Sequence, residues 1–249
     1  MNGRLFFLSG YLFLAGVWWL VGELKIIDVR LFPKITEVLE SLRSLLITKQ
    51  ITINVLSTLY RTLVGFGIAV IFAVPLGMLM GSKQYIRLAI NPLVDFFRSL
   101  PGTAMFPLFL LVFGIGDASK IAISAFMAFW IILINAYYGV LYSSHIRRMT
   151  ARVFGANAWQ IFRHVIFHEA MPSIITGLRS GLALALIAVV VSEMFIGSSS
   201  GLGQKIYEAF LTYEAKDLYA WLIITGIVGF VLSKTFFFID WKWLHWVSK

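Results

Sequence analysis

The stretch "ARVFGANAWQIFRHVIFHEAMPSII", residues 151–175, decides how the chain is read. It is basic, carries one acid, Glu169, and stands between long apolar runs. Placed on a helix, Phe154, Ala158, Ile161, Phe162 and Val165 form one apolar stripe. Arg152, Gln160, Arg163 and His164 fall largely elsewhere. Gly155 interrupts this pattern at a cost of about 1 kcal/mol relative to alanine, so it marks a bend or a close approach. Pro172 suits the first turn of the helix that follows. The expectation is one or two short helices at a membrane surface, bending before the next span. Such a segment either rests on anionic lipid with its arginines in water, or docks a soluble partner, because "GANA" at 155–158 is small enough for a second surface to come close.

The rest of the chain sets that segment in a membrane protein. Of 249 residues, 59% are hydrophobic and only 13% charged, with a mean hydropathy of +0.86; a soluble chain has roughly a quarter charged. With no cysteine, thiol chemistry and disulfides are excluded. The histidines 145, 164, 168 and 245 form no tight cluster with carboxylates, so no metal site is expected. A net charge of +9 in a chain this apolar belongs to the ends of spans, and no nucleic-acid partner is expected.

A crossing helix needs about 20 apolar residues. Six stretches qualify: about 5–22, 59–80, 101–116, 119–142, 174–197 and 218–239, the third short and flanked by prolines. The first lacks a small-residue cleavage site after it and is read as a retained span. If both termini are cytoplasmic, the inner segments hold ten Lys/Arg against three acids, Asp95, Glu169 and Asp240; the outer segments hold seven of each. The positive-inside bias therefore favours cytoplasmic termini and a cytoplasmic loop at about 143–172. The segment 33–58 reads as an amphipathic helix on the outer surface, with Val38, Leu42, Leu45 and Leu46 on one stripe and Thr36 as its N-cap; a short connector packed on the bundle fits equally. No repeat or linker divides residues 1–249, which read as one all-α, polytopic domain of six transmembrane helices.

Few residues carry chemistry. There is no G-x-x-x-x-G-K-[ST] phosphate loop, and "GSSSGLG" at 197–203 reads as a turn. Glu193 lies inside the fifth span, where an ionisable group faces a cavity or a partner; it is either a gate or pathway residue or a structural hydrogen bond. Arg61 and Arg179 lie near span ends, where snorkelling outweighs a pathway role; Arg98, before Pro101, is placed in the same balance. Gly177, Gly181, Ala185, Ala188 and Ser192 form a small-residue stripe for helix contact, within one bundle or across a dimer. Pro75 marks a kink, and Trp18, Trp19, Trp241, Trp243 and Trp246 suit interfacial belts.

The loop resembles the cytoplasmic "EAA" loop of permease subunits in bacterial ATP-binding-cassette importers. That pattern runs Glu-Ala-Ala, three residues, Gly, nine residues, Ile-x-Leu-Pro. Ala151 stands at the second alanine, Gly155 at the glycine and Val165 at the isoleucine. "GANAWQIFRHVIFHEAMPSIITGLR", "SEMF" with "GLG", "RTLVGFGIAVIFAVPLGMLMG" and "FFRSLPGTAMFPLFLLVFGIGDASK" are similar to the nitrate/sulfonate/taurine group, over roughly residues 30–240. Met149 and Thr150 replace the family's Glu and first Ala, and Phe167-His168 replaces its Leu-Pro.

The resemblance implies a type I importer-like transmembrane domain whose coupling loop includes Ala151, Arg152, Phe154, Gly155, Ala156, Asn157 and Ala158. Arg61, Arg98 and Glu193 stand as pathway or gate candidates from their positions in or beside the spans, and for Glu193 the resemblance at "SEMF" implies a shared role. The resemblance also implies no cofactor in this chain, with ATP and Mg²⁺ bound by two copies of a separate ATPase. The other expected partners are an external solute-binding protein, a second copy of this chain and membrane lipid, in a bacterial inner membrane. The solute expected is a small anion such as nitrate, a sulfonate, taurine or bicarbonate. The competing expectation is a self-sufficient secondary transporter or channel that uses Glu193 and the intramembrane arginines; it would have no need of an ATPase docking surface.

Overall fold

The computed structural model describes residues 3–24, 28 and 31–243, with the side chains of 3–9, 11, 14 and 237–243 left aside. Trp241, Trp243, Trp246 and His245, named from the sequence, therefore lie outside the described side chains. Among the described residues every regular element is helical. In order they are α1 (Gly3–Glu23), α2 (Ile35–Ile47), α3 (Gln50–Ser82), α4 (Gln84–Ser99), α5 (Phe106–Phe113), α6 (Asp117–Leu141), α7 (His145–Val153), α8 (Ala158–Ile161), α9 (Phe167–Ile196), α10 (Leu202–Leu211) and α11 (Ala215–Trp243). A π turn, Phe162–Ile166, joins α8 to α9 without a break, so Ala158–Ile196 is one helix of 39 residues.

The bundle is built around α6. Gly65, Ala69, Ala73, Gly77 and Gly81 recur every fourth residue on α3, and this stripe meets α6 at backbone distance. A Cβ at Gly65 would stand 2.6 Å from Ser124 Cβ, one at Gly77 2.5 Å from the Leu133 carbonyl, and one at Gly81 2.6 Å from Val140 Cβ. The numbers rise together, so α3 and α6 run parallel. On the other side Gly177 meets Asn135 and Gly181 meets Ile132. Those numbers run oppositely, so α9 is antiparallel to α6. The small stripe on α9 thus serves contact within the bundle, where Ala185, Ala188 and Ser192 are also buried. Without a hydrophobic force between helices in lipid, close packing of small residues is what holds such pairs.

The parallel pair forces the next connection to travel the full length of α6. Ser82 lies at the end of α6 near Val140, and the chain must re-enter at Asp117. It returns in two arms, Gln84–Ser99 and Gly102–Phe113, bent by 93°. The expected short span at about 101–116 is therefore corrected: it is only the second arm of this bent pair. Its helical part is a 3₁₀ turn, Gly102–Met105, followed by the eight-residue α5. Pro101 has no N–H to donate and pushes Leu100 out of the helical region. The first arm, α4, falls outside the six expected spans, yet Ile86, Ile90 and Val94 pack on the core with Met80, Leu133 and Tyr137.

Other boundaries also move. α3 starts at Gln50, so residues 50–58 belong to it rather than to a surface segment, and it runs helically through Pro75. α2 is capped at Lys34, not Thr36, where the Lys34 N–H donates to Glu37 Oε2 at 3.2 Å. α2 buries Val38 and Leu45 against Trp221 and Ile224 of α11, while Leu46 is exposed. Pro172 lies inside α9, past the π turn, rather than in a first turn. Trp18 donates its indole N–H to the Pro33 carbonyl (3.1 Å) and packs on Tyr219, which ties the end of α1 to the start of α11. α1, at 21 residues, is about 31 Å long. Among the described residues four helices are long and apolar enough to cross a membrane, or five if the bent pair counts as one span.

Candidate functional site

Two polar constructions stand at opposite ends of α9. The first is the loop that follows α6. Ser144 caps α7, its hydroxyl accepting from the Arg147 N–H at 3.3 Å. Glu169, at the start of α9, accepts from the Ser144 N–H and pairs with Arg147 at 2.9 Å. Arg148 donates to the Ser143 carbonyl at 3.3 Å. The base of the loop is thereby fixed to the long helix.

The tip is a helix stop followed at once by a helix start. The Ala156 N–H bonds to the Ala151 carbonyl (3.0 Å) and the Gly155 N–H to the Arg152 carbonyl (2.9 Å). This is a Schellman closure with Gly155 at the left-handed position, φ +79°. So Gly155 does not bend a continuous helix across 151–167; it ends α7, because a glycine takes that conformation without strain. Two residues on, Asn157 Oδ1 accepts from the Gln160 N–H (2.9 Å) while Gln160 Oε1 accepts from the Asn157 N–H (2.8 Å). That reciprocal capping box starts α8.

Of the expected docking residues, Arg152, Phe154, Gly155, Asn157 and Ala158 are exposed, and Ala151 and Ala156 are half-buried. The sequence reading missed their surroundings. Ile146, Met149 and Val153, at i, i+3 and i+7 on α7, are exposed, and so is Trp159. Phe154 and Val153 leave 85% and 84% of their surface in the open. Exposed apolar surface of this kind marks an interaction site, with a protein or with a membrane.

The second construction lies at the far end. Arg61 of α3 is buried, 4% exposed, and does not snorkel. It turns inward because both its partners and a carbonyl wait there. Its Nε donates to Asp117 Oδ1 (2.8 Å), and its Nη1 to Glu193 Oε1 (2.6 Å) and to the Ser200 carbonyl (2.7 Å). Glu193 is wholly buried and also accepts from Thr58 Oγ1 (2.9 Å) and the Gly203 N–H (2.9 Å).

The loop 197–203 is folded onto this pair and is more than a turn. The Gly201 N–H bonds to Asn54 Oδ1 and the Leu202 N–H to Thr58 Oγ1. A Cβ at Gly203 would strike the Val190 carbonyl. Lys120, also buried, donates to the Gly116 carbonyl at 2.9 Å. Asn54, Thr58, Asp117 and Lys120 were not singled out from the sequence. The network clamps α3, α6, α9 and the loop before α10 together, with Arg61 paired to both Asp117 and Glu193.

Arg98 is apart from both sites. It is exposed at the end of α4, next to Phe97, which stacks on Trp130 of α6 at 5.0 Å.

Similarity to known proteins agrees with this layout. The family described as "Binding-protein-dependent transport system inner membrane component" matches residues 73–241. A probable ABC transporter permease of Brucella abortus is 32% identical over 94% of this chain and 92% of its own. The nitrate import permease of Synechocystis is 32% identical over 77% of this chain and 70% of its own. The taurine transport permease of Escherichia coli is 30% identical, over 88% and 82%. A chain of the MetNI methionine ABC transporter, solved in inward-facing conformations, shares the fold with a TM-score of 0.68 at 21% identity, covering 79% of this chain and 97% of that one. The match over residues 73–241 and the relatives at 30% identity or more place the chain in one family: it belongs to the binding-protein-dependent transport system inner membrane components.

Proposed function

We propose that this chain forms the pathway of an ATP-driven importer for a small anion. Two copies would enclose the pathway, two copies of an ATP-binding-cassette ATPase would sit on the cytoplasmic side and hold ATP and Mg²⁺, and an external solute-binding protein would deliver the solute. Residues 1–249 act as one transmembrane domain with both termini and the 143–172 loop in the cytoplasm. The observation that carries this reading is the exposed apolar surface of Ile146, Met149, Val153, Phe154 and Trp159 around the tight Gly155–Asn157 corner. It supplies the docking face that an energising subunit needs. Relatives named for nitrate import, aliphatic sulfonate transport and transport of taurine, whose sulfonate is an oxyanion group, favour a solute that carries such a group.

A self-sufficient transporter would use Glu193 and Arg61 as coupling groups. That reading is disfavoured because each neutralises the other inside a closed network. The test is to co-express the chain with its ATPase, reconstitute the purified complex, and measure ATP hydrolysis with a binding protein loaded with nitrate, taurine, an alkanesulfonate or bicarbonate. Stimulation by one loaded form is expected. Solute flux through the permease alone, with no ATPase bound, would sink the proposal.

A further inference from the structure

We infer that Arg179 is the anion-recognising group of the translocation pathway, set in a cleft between α9 and α11; this rests on the anion-import reading above. Gly177 and Gly181 hold α9 against Asn135 and Ile132 of α6. Arg179 therefore stands level with residues 132–135, six to nine residues before α6 ends at Leu141. At 1.5 Å per residue that is about 9–14 Å inside the bundle, a depth within the hydrocarbon layer. Two residues from each glycine is about 200° of helix turn, so Arg179 emerges on the side away from α6.

The side chain is exposed there. Among the described residues it makes no ion pair and no hydrogen bond, and the sequence holds no acid between Glu169 and Glu193. Arg61 and Lys120 are engaged at the far end, and Arg98 has Asp95 one turn away on its own helix. A full charge at this depth is disfavoured against acyl chains, and such residues face water-filled space or a partner. The exposed face continues along α9 as Thr176, Arg179, Ala183 and Ile187, polar at the loop end and apolar beyond it.

Arg179 lies at a cleft of about 370 Å³ whose other lining residues include Leu186, Thr225, Gly229 and Ser233. That volume holds a small oxyanion with water. A guanidinium offers a planar fork of donors that matches nitrate or sulfonate oxygens. Apolar walls strengthen that one contact by lowering the local dielectric. A single arginine still leaves the anion free to move on, which a pathway requires.

The chain has no cysteine, so Arg179→Cys creates its sole thiol. The variant is assembled with its ATPase in proteoliposomes and treated with aminoethyl or sulfonatoethyl methanethiosulfonate, which leave a positive or a negative group. Both reagents are expected to label it. Anion transport should fall about tenfold or more in the variant, the order of one lost charge-assisted hydrogen bond. It should recover several-fold with the aminoethyl group and not with the sulfonatoethyl group, and Arg179→Lys should keep most of the rate. Two results would overturn the inference. One is a thiol closed to both reagents but open to a membrane-partitioning maleimide, which puts position 179 against lipid. The other is labelling with no dependence of transport on the charge attached. A wild-type complex that moves no anion removes the import reading and this inference with it. A transporting wild type beside either of the first two results removes the inference alone.

Discussion

The Glu193→Gln change tests the clamp at the far end most directly. It keeps the side-chain shape and removes one charge from a fully buried site. Arg61, 4% exposed, would lose its 2.6 Å ionic partner and keep Asp117, whose side chain is 54% exposed, and the Ser200 carbonyl. Removing one member of a buried ion pair costs about 3–5 kcal/mol. The retained Asp117 contact, and an amide oxygen still able to accept from the Gly203 N–H, place the expected loss at the lower end, about 3 kcal/mol. For a chain of this size each kcal/mol moves Tm by about 2–4 °C, so the melt should fall by roughly 6–12 °C. The eight tryptophans give the fluorescence signal in detergent. Arg61→Met with Glu193→Leu removes both charges together, and the double variant should cost at least about 1.5 kcal/mol less than the two single changes summed. A Glu193→Gln melt within 1 °C of wild type, or strict additivity in the cycle, would refute the clamp.

Three further outcomes are expected. Ala156→Glu puts a carboxylate beside Phe154 and Trp159 at the loop tip; the variant should insert and melt like wild type yet fail to co-purify with the ATPase, and retained binding and transport would return the loop to the lipid surface. Gly77→Val drives a side chain into the Leu133 carbonyl, 2.5 Å from its Cβ, and should destabilise by about 1–3 kcal/mol or more, whereas Gly67→Ala, with nothing within 4 Å, should change the melt by under about 1 kcal/mol. Single cysteines at Ser144 and Ser199 should label from opposite sides of the membrane, and labelling of both from one side would contradict the proposed topology.

Hydropathy located most of the long helices because apolar runs of crossing length have few other uses. It failed at α4, where Lys83, Arg87, Asp95 and Arg98 dilute an Ile86–Ile90–Val94 stripe that is nevertheless packed. The four-residue spacing of Gly65, Ala69, Ala73, Gly77 and Gly81 was present in the sequence, but only contact with α6 shows that it selects a parallel neighbour and so compels the bent return. Gly155 within a periodic run is ambiguous between a bend and a stop. The deciding signal was Asn157-x-x-Gln160, a helix start that makes sense only if the previous helix has ended. Arg61 was beyond local reading altogether: its partners are 56 and 132 positions away in the chain. Snorkelling is the better expectation for an isolated arginine near a span end, and long-range pairing overrides it.

The single helix Ala158–Ile196 links the two ends physically, and that linkage has a measurable consequence. Its loop end is fixed through Glu169 to the base of the loop, its middle is held on α6 at Gly177 and Gly181, and its far end carries Glu193. Taking the contact near residue 179 as the pivot, the arms are about 32 Å to Ala158 and about 21 Å to Glu193. A shift of about 3 Å at the loop then becomes about 2 Å at Glu193 if the helix stays straight. The clamp hydrogen bonds are only 2.6–2.9 Å long, so 2 Å is enough to break them and free the 197–203 loop. Two places can absorb the motion instead, the π turn at Phe162–Ile166 and the step at Pro172, whose missing N–H weakens the ladder there. Spin labels on cysteines at Ser57 and Ser199, which flank the clamp, distinguish the cases. In the assembled complex their separation should grow by about 2 Å or more when ATP binds, if α9 moves as a lever about that pivot. An unchanged separation beside a measured shift at Phe154 would mean that the π turn and Pro172 take up the motion, and that the far clamp is static.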